Sequence, residues 1–381
     1  MRKLFYILLI INIFSLRLYP QITVFSDFEG GNVNILKIDA LTNTIYFTPD
    51  IDQNNTLRCW YYFGVANVRN KKLHFVPSGY NNLAKAYMPA YSYDRKHWYR
   101  VISNNYNFEI KALHDTLYVA MGYPYLYSDL QNFLNKIKKS PFVQVKQLTK
   151  SEGGNIVPYI IIKNDNPEVR NYVLILARQH AFETLSNYVL EGFIDYIITS
   201  ENLKQILNKF FIVIVPIVDV DNVIKGQSGR MQKPYDFNRD WSDTPHLNAV
   251  KKIEYLVDSL NKSYKLKIFF DWHSTYPSVD SNIFGFFNLY YFYQKQYHNL
   301  ENFWNLVSKL SGFKVLPIYT KFQKNVFYAD QYFYRMKDID FSCTIEFDWN
   351  YIEKKQIWDI KNLRFLGKKI AQALIIYSHR W

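Results

Sequence analysis

The stretch YVLILARQHAFE, residues 172–183, decides the fold. Six apolar residues in a row, Tyr172 to Ala177, suit a strand covered on both faces, as the central strands of a parallel sheet are. Immediately after them come Arg178, Gln179, His180 and Glu183, placed at a strand's carboxyl end, where open α/β sheets bind their ligands. The next segment, TLSNYVLEGFIDYII (184–198), repeats apolar residues every four positions at Val189, Phe193 and Ile197 and again at Leu190, Ile194 and Ile198. That spacing predicts a deeply buried helix.

Toward the C-terminus the rhythm continues with FFIVIVPIV (210–218), NAVKKIEYLVDSL (248–260) and KLKIFFDWH (265–273), and GKKIAQALIIYSHRW (367–381) reads as a closing amphipathic helix. Strand and helix in alternation favour a mostly parallel sheet with helices on its faces, an α/β domain spanning 119–381. Toward the N-terminus the pattern is different. Short β-rich runs, among them ITVFSDF (22–28), NILKI (34–38), TIYFT (44–48), LRCWYYFGVANV (57–68), KLHFVP (72–77), HWYRVI (97–102), FEIKA (108–112) and LHDTLYVA (113–120), are cut by turn residues. They predict an antiparallel β-sandwich over 22–118.

With 381 residues, 49% of them hydrophobic and 18% aromatic, the chain can bury a core in each domain, and disorder is excluded. The formal charge of +13 is scattered, with no basic block interleaved with stacking aromatics, so nucleic acid is not an expected partner. Residues 1–21 open with Arg2 and Lys3 and continue with an apolar run from Leu4 to Leu16 that is short for a membrane span. This layout predicts a signal peptide and a secreted or periplasmic protein; the alternatives are an uncleaved membrane anchor or a buried strand, because the small residues of a cleavage site are missing. Cys59 and Cys343 fall in different domains and are too few for a cysteine metal site.

His180 and Glu183 end one strand and His273 ends another. Two imidazoles and a carboxylate leave a fourth tetrahedral position open, the donor count of a catalytic zinc site rather than a closed structural one. Read alone, the spacing equally allows two unrelated loop histidines.

The segment RQHAFETLSNYVLEGFIDY (178–196) resembles the zinc-binding segment of the metallocarboxypeptidases (funnelins), in particular the cytosolic-carboxypeptidase branch, where an Arg-Gln-His-x-x-Glu-Thr run enters a Glu-Gly-Phe helix. GYPYLYSDL (122–130), GGNIVPYIII (153–162), IVPIVDVDNVIKG (214–226), DFNRDW (236–241), FFDWHS (269–274) and CTIEFD (343–348) follow in the same order, and FSDFEGGN (25–32) with WYYFGVANV (60–68) is similar to the β-sandwich that precedes the catalytic domain in that branch.

The resemblance implies a carboxypeptidase-like α/β/α domain with a mixed sheet and one zinc ion held by His180, Glu183 and His273. It implies that Glu346 acts as general base and then acid, and that Asn238 and Arg239 bind the terminal carboxylate of a peptide or protein. Asp236 would steady the first zinc histidine, and Arg230 would polarise the scissile carbonyl. The expected reaction is hydrolysis of C-terminal peptide or isopeptide-like bonds; the alternative is a silent module on the same fold that binds peptides or cell-wall fragments. Asp219, Val220, Asp221 and Asn222 stand where the family has an Asn-Pro-Asp-Gly turn, and Arg230 falls one place late. Tyr319 and Tyr328 are candidates for the family's mobile capping tyrosine. Lys321 and Lys324 suggest a preference for acidic C-terminal side chains, in line with a branch that trims glutamate from protein tails.

Overall fold

The computed structural model describes residues 21–49, 59–78, 88–102, 107–275, 283–288, 294–320, 327–336, 338–350 and 357–381. The expected signal segment up to residue 20, Lys321 and Lys324 lie outside the described residues.

Nine strands come first: β1 (Thr23–Phe25), β2 (Asn34–Asp39), β3 (Thr44–Thr48), β4 (Tyr62–Ala66), β5 (Lys72–Pro77), β6 (Ala90–Ser92), β7 (Trp98–Arg100), β8 (Phe108–Lys111) and β9 (Leu117–Ala120). They form two sheets, in the orders β1-β4-β9-β6-β7 and β2-β3-β5-β8. Along β5, Leu73, Phe75 and Pro77 are buried and their neighbours are less so, the period of two expected when one sheet face meets a core. Phe47 of one sheet meets Phe63 of the other edge-on at 5.2 Å, and Phe75 stacks on Phe108 at 4.8 Å. The pairings are antiparallel except β3 with β5, which run parallel.

The second domain contains α1 (Tyr127–Ile137), β10 (Val143–Lys150), β11 (Ile156–Ile162), β12 (Asn171–Ala177), α2 (Leu185–Thr199), α3 (Leu203–Leu207), β13 (Phe210–Val215), α4 (Val220–Lys225), α5 (Asn248–Asn261), β14 (Lys265–Thr275), β15 (Ile283–Asn288), α6 (Gln294–Ser311), β16 (Val315–Thr320), α7 (Ala329–Tyr334), β17 (Phe341–Asp348) and α8 (Ile360–Tyr377). Its eight strands lie in the order β10-β11-β13-β12-β14-β17-β15-β16. At the centre β12, β13, β14 and β17 run parallel, and β10, β11 and the β15–β17 contact make the sheet mixed. β12 is buried from Tyr172 to Ala177, as the apolar run requires.

Helices α2 and α8 touch backbone to backbone. A Cβ at Gly192 would lie 1.9 Å from the Arg364 carbonyl oxygen, and one at Gly367 would lie 1.8 Å from that of Val189, so only glycine fits at either place. The closing helix is longer than its apolar pattern predicts. It begins at Ile360 because Asp359 caps it, accepting the Asn362 N–H at 2.6 Å.

The two domains share hydrogen bonds. Gly30 N–H donates to the Ile224 carbonyl at 2.9 Å, and Asn32 Nδ2 donates to the Gly226 carbonyl at 2.8 Å. Gly226 ends α4 in the left-handed region at φ 69°, pressed against the backbone of Gly30. Cys59 and Cys343 are both buried and are not joined to each other. No described helix is long and apolar enough to cross a membrane.

Candidate active site

Three strand ends converge. Past β12 the chain turns at Arg178, whose φ of 58° is in the left-handed region, and the buried guanidinium pins the turn by donating to the Tyr125 carbonyl at 3.2 Å, to Asn187 Oδ1 at 2.8 Å and to the Ala181 carbonyl. This aims His180 and Glu183 over the sheet. β14 lies beside β12 and delivers His273, and β17 lies beside β14, with His273 and Glu346 paired residue to residue.

Glu183 sits between the imidazoles. Its Oε1 is 2.8 Å from His180 Nδ1 and its Oε2 is 2.6 Å from His273 Nδ1. The outer nitrogens are held as well: His180 Nε2 is 3.1 Å from Asp236 Oδ1, and His273 Nε2 is 2.8 Å from Asp271 Oδ2. A neutral imidazole that donates a hydrogen bond from its Nε2–H to a carboxylate turns the Nδ1 lone pair inward, the arrangement in which histidine ligates a metal. The ligand atoms of His180, Glu183 and His273 all lie within 4.8 Å of one another, and the three residues are positioned to bind a metal ion.

The carboxylate and imidazoles of the trio stabilise each other's charged forms. Burial alone would raise Glu183, but the facing charges of His180 and His273 outweigh it and hold this carboxyl well below the usual range. Burial would likewise lower both histidines, and Glu183 with Asp236 around His180, and Asp271 with Glu183 around His273, push them up instead. Two nitrogens, one carboxylate and a surrounding ring of acids suit Zn2+ in composition.

Glu346 Oε2 is sealed from solvent with no hydrogen-bond partner among the described residues. Burial, then the charge of Glu183, raise this carboxyl to about 7, against the opposing pull of His273 and Arg230. Arg230 reaches the same space, its Nη1 standing 3.9 Å from Glu183 Oε1, so the one-residue offset in the sequence does not carry it away.

Asp236 caps a 3-10 turn over Phe237–Arg239, accepting from Asn238 N at 2.9 Å and from Met231 N at 2.7 Å. Asn238 is buried; its Oδ1 accepts the Ala329 N–H at 3.0 Å and its Nδ2 lies 3.3 Å from His273 Nε2. Arg239 stacks over the Tyr328 ring at 4.3 Å. Tyr319 lies on β16. Where the family's Asn-Pro-Asp-Gly turn is missing, Asp219 caps α4, and Asp221 accepts from Ser151 Oγ, Gly153 N and Asn155 Nδ2 at 2.6 to 2.7 Å, tying in the turn between β10 and β11.

Sequence reasoning passed over Asp271, Gln179 and Trp241. A signal for Asp271 was present: residues two apart on a strand share a face, so an acid two places before a ligating histidine lies beside its ring.

Residues 130–279 match the zinc carboxypeptidase family, and residues 24–123 match the cytosolic carboxypeptidase N-terminal domain. Glu346 lies beyond the first match. Cytosolic carboxypeptidase 3 of Bos taurus is 28% identical over 255 residues, which are 56% of this chain and 25% of that protein. Cytosolic carboxypeptidase 6 of Caenorhabditis elegans is 24% identical over 299 residues, 69% of this chain and 64% of that one. The chain spans about a quarter of the length of the first curated relatives it matches. Among solved structures, a metallo-carboxypeptidase from Burkholderia cenocepacia superposes with a TM-score of 0.83 at 18% identity, covering 94% of this chain and 100% of that one. A Pseudomonas aeruginosa metallo-carboxypeptidase in complex with (2-guanidinoethylmercapto)succinic acid gives 0.78 at 17% identity, over 93% and 98%.

These relatives correct one expectation. The first residues pointed to a signal peptide and a secreted, periplasmic or N-terminally anchored protein, whereas the matching relatives are cytosolic carboxypeptidases and share this chain's N-terminal domain. A basic start and a short apolar run were weak grounds, because the small residues at which a signal peptide is cut are missing. The two matches and the metal-binding trio agree: the chain carries a zinc carboxypeptidase domain preceded by a cytosolic carboxypeptidase N-terminal domain, and the curated relatives it matches are cytosolic carboxypeptidases.

Proposed function

We propose that this chain hydrolyses the C-terminal peptide or isopeptide-like bond of peptides and proteins. The observation that carries the reading is the pairing of His273 with Glu346 across β14 and β17, because it sets a half-buried carboxylate, its Oε2 without a hydrogen-bond partner among the described residues, beside the trio His180, Glu183 and His273. Zinc, when bound by that trio, supplies a Lewis acid and lowers the pKa of water to about 7.

The chain's own residues do the rest. Glu346 takes a proton from the attacking water and gives it to the departing amine. Arg230 faces the oxygen on which negative charge develops. Arg239 presents a planar fork to the substrate's terminal carboxylate, held flat by Tyr328. Asn238 backs the clamp from below, its carbonyl oxygen already engaged by Ala329. Asp236 fixes the His180 tautomer.

The test is purified protein loaded with zinc and incubated with a broad peptide library, with products read by mass. Peptides shortened by their last residue support the reading. Cleavage only at internal bonds, or no cleavage of any peptide, overturns it.

A further inference from the structure

Asp271 carries no role in the scheme above. It lies on the same face of β14 as His273, and its Oδ2 stands 2.8 Å from His273 Nε2 and accepts from Gln179 Nε2 at 2.7 Å. Gln179 Oε1 in turn accepts from Trp241 Nε1 at 2.8 Å. Asp271, Gln179 and Trp241 are all buried.

The polarity of this chain of bonds is forced from one end. An indole N–H only donates, so Gln179 turns its oxygen to Trp241 and its amide nitrogen to Asp271. With a metal ion on Nδ1, the nitrogen facing Glu183, a neutral His273 would carry its proton on Nε2, which faces the Asp271 carboxylate. The same chain joins three segments: Gln179 precedes His180, Asp271 shares β14 with His273, and Trp241 closes the segment that carries Arg239.

We propose that Asp271 is a positioning residue for the metal centre, locking the tautomer and ring direction of His273 and, through Gln179 and Trp241, keeping the strand ends that hold zinc in register with the segment that holds the substrate carboxylate. The inference rests on the zinc reading of the trio. Asp236 does for His180 from a turn braced by backbone N–H groups what Asp271 does for His273 from a strand braced by a side chain.

The experiment measures zinc affinity of the full chain by competition with a chromogenic chelator, for wild type, Asp271→Ala, Asp271→Asn and Gln179→Leu. Loss of an outer carboxylate of this kind weakens metal binding about 10- to 100-fold. Asp271→Ala is expected in that range, with Asp271→Asn and Gln179→Leu weakened less, and the visible spectrum of bound Co2+ should change in Asp271→Asn. If Asp271→Ala does not fold, Asp271→Asn and Gln179→Leu decide. Zinc affinity within twofold of wild type in the folded variants overturns the proposal. A wild type that takes up no zinc overturns the zinc reading and this inference together, whereas a wild type that binds zinc and cleaves no peptide removes only the proposed function.

Discussion

Arg100 of the first domain donates from Nη2 to the Trp349 carbonyl at 2.8 Å, just past Glu346 on the chain. Met88 N–H donates to Asn350 Oδ1 at 2.9 Å alongside it, and on the far side of the site Asn32 holds the Gly226 carbonyl on the stretch leading to Arg230. Two loops that flank the metal position therefore lean on the β-sandwich. Arg100→Ala would leave the Trp349 carbonyl without this donor, a cost of about 1.5–3 kcal/mol for a bond to a charged group. The expected outcome is a lower melting temperature and a fall in kcat larger than any rise in KM. Unchanged melting and kcat would show that the loop does not depend on the domain contact.

Glu346→Gln keeps the shape of the side chain and removes the base. General acid–base catalysis contributes about 10²- to 10⁴-fold, so kcat should fall by that order while zinc content stays at the wild-type level. The same variant separates an enzyme from a silent peptide-binding module. In the module reading, wild type and variant bind peptides alike and neither turns them over.

Each of His180→Ala, Glu183→Ala and His273→Ala removes one donor from the trio. Metal analysis after dialysis should find zinc near one ion per chain in wild type and close to none in each variant. Full retention of zinc by His273→Ala would remove that residue from the ligand set. Chelation of wild type should abolish hydrolysis, and added zinc should restore it.

Asp219 gives a pH dependence set mainly by its burial. Burial raises its carboxyl from 3.8 to about 7, against the hydrogen bonds it accepts from Asn222. Between about pH 4 and 7 the folded protein keeps a proton that the unfolded chain has lost, so this group favours the fold less and less as pH rises through the window. The loss is at most about 4 kcal/mol once pH exceeds 7, at about 1.4 kcal/mol per pKa unit. Asp219→Asn, with an equally good cap residue, should flatten the slope of unfolding free energy measured by urea titration between pH 4.5 and 7.5. An unchanged slope would place the pH dependence elsewhere.

The strand ends were legible in the sequence, because His180 and Glu183 follow one apolar run and His273 another and strand ends meet at one edge of a sheet, but the spacing equally allowed two unrelated loop histidines and the resemblance decided for the trio. Resemblance was needed for Glu346, since the match to the zinc carboxypeptidase family ends before it and its place depends on β17 pairing with β14. Parallel pairing of β3 with β5 is a long-range choice that no local periodicity records. Asp271 was hidden for a related reason: a polar residue inside an apolar run looks like an interruption until its partners Gln179 and His273 arrive from other parts of the chain. The start of α8 depends on a cap at Asp359 rather than on apolar spacing.

In the proposed function, action at a free C-terminus rests on Arg239. Its guanidinium lies 4.3 Å from the Tyr328 ring centre, and Nη1 donates to the Asn238 carbonyl at 2.7 Å, so the plane is set from two sides before a substrate arrives. Lysine retains the charge and loses both the fork and the stacking surface. A hydrogen bond to a charged group is worth about 1.5–3 kcal/mol, which corresponds to a fall of roughly 10- to 150-fold in kcat/KM for Arg239→Lys on peptides with a free terminal carboxylate. Peptides with an amidated C-terminus give the control. Wild type should cleave them as poorly as the variant cleaves free peptides, and the variant should lose nothing further on them. If Arg239→Lys leaves kcat/KM on free peptides unchanged, or if wild type cleaves amidated peptides as fast as free ones, the carboxylate is held by some other group.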